Sequence, residues 1–98
     1  MSRISVDPGR ELAALAVVGG LDGARVLEVG CGDGRLTFAY ASRARSVLAI
    51  DPDKGRIAAA RRRLSRELEG SVRFEIADVV DLQQPPAAFD AVFLSHSL

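Results

Sequence analysis

An open parallel α/β sheet with flanking helices is the fold this sequence predicts, and three observations carry the prediction. Four short apolar runs, Val26 to Val29, Val47 to Ile50, Val72 to Ile76 and Phe89 to Leu94, have the length and β-branched content of strands. The first two gaps between them show apolar residues at helical spacing, which implies right-handed crossovers and parallel pairing. The first run opens into glycines at alternate positions, Gly30, Gly32 and Gly34, which free the backbone for a tight turn and a close approach to a ligand.

Met1 to Val6 reads as a loose leader. Asp7-Pro8 has the form of a helix start, with Leu12, Leu15, Ala16 and Val18 as its apolar stripe and Gly19-Gly20 as its end. A turn at Asp22-Gly23 feeds the first strand. Leu36, Ala39, Tyr40 and Ala44 then predict a helix from about Gly34 to Arg45. Asp51 closes the second strand, and Asp51-Pro52 reads as an N-cap and first turn. The helix it starts carries Ile57, Ala60, Leu64 and Leu68 and stops at Gly70. The third strand alternates Val72, Phe74 and Ile76 with Arg73 and Glu75. A short turn or helix around Val79 to Leu82 and the loop Gln83 to Pro86 lead to the fourth strand.

Ala91 to Leu94 is apolar without alternation, as in a strand covered on both faces. Left at a sheet edge, such a strand is a pairing hazard. Residues 1–98 therefore read as one domain in partial form. The favoured reading is the front half of a larger domain; the other is a unit completed by a partner, self-association through the fourth strand being one form of that pairing.

Composition narrows the function classes. The chain has 98 residues, 48% hydrophobic and 27% charged, which suits an ordered globular domain. Thirteen basic and thirteen acidic residues cancel, so the footprint of a whole-domain nucleic-acid binder is missing. The arginines at 61, 62, 63 and 66 read as a solvated helix face, with Arg63–Glu67 an i,i+4 pair. One cysteine, Cys31, excludes an internal disulfide and fits a reducing compartment. No run is long enough to span a membrane, so a cytoplasmic location is expected.

In an open parallel sheet, ligands sit beyond the carboxyl ends of the strands. Glu28, Asp33, Asp51 and Asp78 fall there, with Arg35 the nearby base. Carboxylates suit a ligand with cationic groups and free hydroxyls better than a pyrophosphate. Gly30 to Arg35 also puts Arg35 where a dinucleotide fingerprint needs its third glycine. That disfavours an NAD-type oxidoreductase domain, the first alternative; a non-catalytic module pairing through the fourth strand is the second.

VLEVGCGDG, then AIDPD, EIADVVDL and FDAVFLS, resembles the successive motifs of the class I S-adenosylmethionine-dependent methyltransferases, whose fold is Rossmann-like. The resemblance runs from about Leu21 to the end. It implies S-adenosyl-L-methionine as cofactor, with Gly30 and Gly32, and Cys31 between them, at its methionine portion. By the same resemblance Glu28 acts on the methionine ammonium, Asp51 binds the ribose hydroxyls, and Pro52 lies beside the adenine. Asp78 and Val79 meet the adenine edge, and Ser95 stands near the cofactor and the acceptor entrance. Methyl transfer to an unidentified acceptor follows, a small molecule being slightly favoured by the neutral charge. Cys31 has no identifiable base and reads as a packed residue rather than a nucleophile. Asp78 also has the form of a turn cap, and His96 that of a general base or an exposed terminal side chain.

Overall fold

The computed structural model describes residues 21–78, 80 and 88–95. The expected N-terminal helix, Val79, the loop at 81–87 and His96 lie outside them. Within them the order is β1 (Arg25–Val29), α1 (Arg35–Tyr40), β2 (Ser46–Asp51), α2 (Lys54–Arg63), a 3-10 turn (Arg66–Leu68), β3 (Val72–Ile76) and β4 (Ala91–Leu94). The four strands form one parallel sheet, β3-β2-β1-β4.

That order places the topological switch between β1 and β4. The chain moves outward from β1 through β2 to β3, then crosses back to pair Val26 with Ala91 and Val29 with Leu94. In an open parallel sheet, ligands bind beyond the carboxyl ends of the strands at such a switch point. Among the described residues β4 pairs with β1 on one side only, and β3 forms the other edge. The core is built from Val26, Val47, Ala49, Val72 and Phe74 of the sheet with Ile57 and Ala60 of α2. Phe38 packs onto Phe74 with ring centroids 5.5 Å apart in a tilted geometry.

Three local expectations change. The first helix runs only from Arg35 to Tyr40, and Ala41 to Arg45 form turns. Its buried face is Leu36, Thr37 and Tyr40, while Ala39 is exposed. The N-cap of α2 is Asp53, whose side chain accepts from Arg56 N at 3.1 Å; Asp51 is not a cap. Finally, α2 ends at Arg63, with Leu64 already extended. Arg63 and Glu67 therefore do not share a helix, and Arg63 Nη1 instead lies 3.3 Å from Asp33 Oδ2.

Candidate functional site

Three glycines set the shape of the loop that leaves β1. Gly30, Gly32 and Gly34 have φ of 83°, 58° and 88°, a region costly to residues with a Cβ. At Gly30 a Cβ would stand 2.5 Å from the Ser95 carbonyl oxygen, so the loop and the end of β4 meet through a missing side chain. The amides of Gly30 and Cys31 both donate to Ile50 O, at 2.8 and 3.0 Å, which ties the loop to β2. Anion capture at the start of α1 is not what the loop is built for. Asp33 already stands there, accepting from Arg35 N at 3.4 Å and paired with the Arg35 and Arg63 guanidiniums.

Asp51 closes β2 beside this loop. Its Oδ2 accepts from Gly32 N at 3.0 Å and its Oδ1 from Asp53 N at 2.8 Å. A carboxylate offers about four acceptor positions, so about two stay open after these contacts. The residue is 8% exposed, so its remaining acceptor positions lie close to the surface at the carboxyl end of β2. Pro52 beside it is exposed.

Glu28 is placed quite differently. It has no accessible surface and points into the layer between β1 and α1. Thr37 Oγ1 and Tyr40 Oη donate to its Oε1 at 2.6 and 2.7 Å. Ser95 Oγ lies 2.7 Å from its Oε2 and 2.9 Å from Gly30 O. Burial pushes the Glu28 carboxyl above the usual carboxylate range, and the three hydroxyls only partly oppose that. Glu28 is thus a buried group of the scaffold and does not reach the rim. The Ser95 hydroxyl turns inward to it and is itself 6% exposed.

Asp78 is exposed, and its Oδ1 accepts from Val80 N at 3.3 Å, the geometry of a turn cap. Its expected neighbour Val79 lies outside the described residues. Cys31 is buried, and burial, with Glu28 and Asp51 nearby, drives its thiol far up. A thiol held protonated is a poor nucleophile. Among the described residues no group of His, Cys, Asp and Glu could hold a metal ion. No helix among them is long and apolar enough to cross a membrane.

Sequence reasoning missed Thr37 and Tyr40. Tyr40 was assigned to an apolar stripe, although a buried phenol almost always needs a hydrogen-bond partner. That requirement, set beside a glutamate inside an apolar strand, was the available signal.

Comparison with known proteins agrees with this geometry. Residues 26–98 match the methyltransferase domain family. The chain is 41% identical over 80 residues to the magnesium-protoporphyrin O-methyltransferase of Rhodobacter capsulatus, covering 80% of this chain and 34% of that protein. A solved putative S-adenosylmethionine-dependent methyltransferase from Listeria monocytogenes superposes with a TM-score of 0.75 at 26% identity, over 93% of this chain and 41% of that one. Phosphoethanolamine N-methyltransferase 1 of Haemonchus contortus, solved with phosphoethanolamine and S-adenosylhomocysteine, gives 0.71 at 31% identity, over 83% of this chain and 17% of that one. The chain spans about a third of the length of the curated relatives it matches. A match of this extent, on this strand order, makes the chain a member of the class I S-adenosylmethionine-dependent methyltransferase family.

Proposed function

We propose that this chain binds S-adenosyl-L-methionine in the crevice beyond β1, β2 and β4 and supplies the cofactor half of a methyl transfer. The observation that carries the reading is Asp51, a nearly buried carboxylate at the carboxyl end of β2, held against the glycine loop and with acceptor positions left over. A vicinal diol supplies two donors of the kind such a group accepts, and charge-assisted bonds are the stronger sort. The donor set fits. Gly32, whose amide meets Asp51, leaves no side chain between the loop and a ligand, and the exposed Pro52 and Asp78 follow the ends of β2 and β3, where a flat base would lie.

When bound, the cofactor supplies an electrophilic methyl group on a sulfonium. This chain's residues then act by holding and orienting it and by excluding water, and positioning of this kind can lower a barrier by roughly 7–11 kcal/mol in favourable cases. The neutral charge balance favours a small-molecule acceptor, and the reduced, buried Cys31 fits a cytoplasmic setting. Calorimetric titration of the protein with S-adenosylhomocysteine tests the reading. Saturable binding is expected, weakened about tenfold or more by Asp51→Ala, since a hydrogen bond to a charged group contributes about 1.5–3 kcal/mol. Unchanged affinity in that variant, or stronger binding of a nicotinamide dinucleotide, would defeat it.

A further inference from the structure

The two oxygens of Glu28 do not have equivalent surroundings. Oε1 receives two hydroxyl donors, Thr37 and Tyr40, which fills the lone pairs of a carbonyl-type oxygen. Oε2 faces one group, the Ser95 hydroxyl, at 2.7 Å. That hydroxyl also lies 2.9 Å from the Gly30 carbonyl oxygen and has a single proton to give. If Glu28 were ionised, one proton would have to serve two acceptors, and one short oxygen–oxygen contact would hold no hydrogen.

We propose that Glu28 is carried as a neutral carboxylic acid that donates from Oε2 to Ser95 Oγ, so that the Ser95 hydroxyl donates to the Gly30 carbonyl and Glu28 becomes a positioning residue for the glycine loop. Each short contact then contains one hydrogen. The surroundings agree. Among the described residues, the titratable groups that face Glu28 are the Tyr40 phenol of α1 and the Cys31 thiol of the loop, with Asp51 beyond it, and none of these brings positive charge to a carboxylate. From the neighbouring strands Ala49 and Phe93 stand opposite Glu28 in register, and neither titrates. Full burial disfavours the charged form further. The inference rests on the scaffold's own contacts and is independent of what the crevice binds. Its consequence is that the loop carbonyl is fixed to the end of β4 only while Glu28 keeps its proton.

The sign of the pH dependence follows. A carboxyl whose folded pKa is raised stabilises the fold fully below its unfolded pKa and loses that contribution as pH rises through the folded value. Wild type and Glu28→Gln are compared by urea unfolding from pH 5 upward, because the amide keeps an acceptor for Thr37 and Tyr40 and a donor for Ser95. The folded-to-unfolded ratio of wild type relative to the variant is expected to fall about tenfold per pH unit until the folded pKa is passed. A flat or rising ratio from pH 5 overturns the proposal. Should the variant not fold, infrared spectroscopy of wild type at pH 7 decides. A protonated-carboxyl band that vanishes on unfolding is expected, and its absence is equally fatal.

Discussion

Two carboxyl side chains end adjacent strands of the same sheet, and their surroundings give them opposite tasks. Glu28 of β1 turns inward, has no exposed surface, and is satisfied by side-chain hydroxyls from α1 and from the end of β4. Asp51 of β2 stays at the rim and is held by the backbone amides of Gly32 and Asp53. Hydroxyls are weak, adjustable donors that can also accept a proton's hydrogen bond, so they suit a neutral acid. Fixed amides are donors only, so they suit an anion. Residue type and strand position are nearly the same in the two cases. The kind of partner makes the difference: one acid organises the scaffold and the other keeps acceptor positions open near the surface.

The contrast can be broken most strongly at the seam between the two regions. Gly30→Ala puts a Cβ onto the Ser95 carbonyl and forces an L-residue to φ 83°. A loss of about 3 kcal/mol is expected from left-handed strain and overpacking together, read as a shift in urea midpoint. On the buried side, Tyr40→Phe removes one of the two donors to Glu28 Oε1 with little change of shape. It is expected to cost about 1–2 kcal/mol in thermal unfolding, with Thr37 retained as donor. On the exposed side, Asp53→Ala removes the α2 cap together with a solvent-exposed ion pair to Arg56 at 3.8 Å. About 1 kcal/mol is expected there. Affinity for S-adenosylhomocysteine should fall far less than in Asp51→Ala, which would separate the capping carboxylate from the ligand-facing one.

Much of this was legible before any coordinates. Strand–glycine–helix at β1, the closing acid of β2 and the parallel order all follow from local pattern, because period, turn chemistry and strand length are local properties. What escaped was set by contacts between distant residues. From sequence alone Asp51-Pro52 has the form of an N-cap and first turn. The amide of Gly32 draws the Asp51 carboxylate away, leaving Asp53 to start the helix. Likewise, six residues of α1 are too few for a stripe to declare its buried face, and the hydroxyls of Thr37 and Tyr40 acquire meaning only once Glu28 lies beneath them.

The return of the chain to β1 also bears on how the molecule comes together in time. Gly32 and Asp51 meet across 19 residues, whereas Arg25 and Asp90, which form an ion pair at the start of the β1–β4 ladder, are 65 apart. Loop closure grows costlier with length and contacts of long separation slow folding, so β4 is expected to dock after β1, β2 and β3 have paired. During synthesis the same order is imposed by the ribosome, which releases β4 after β1, β2 and β3. The glycine loop would then spend its early life without the backstop of Ser95, its run of three left-handed glycines held to β2 by the amide bonds to Ile50 and Asp51.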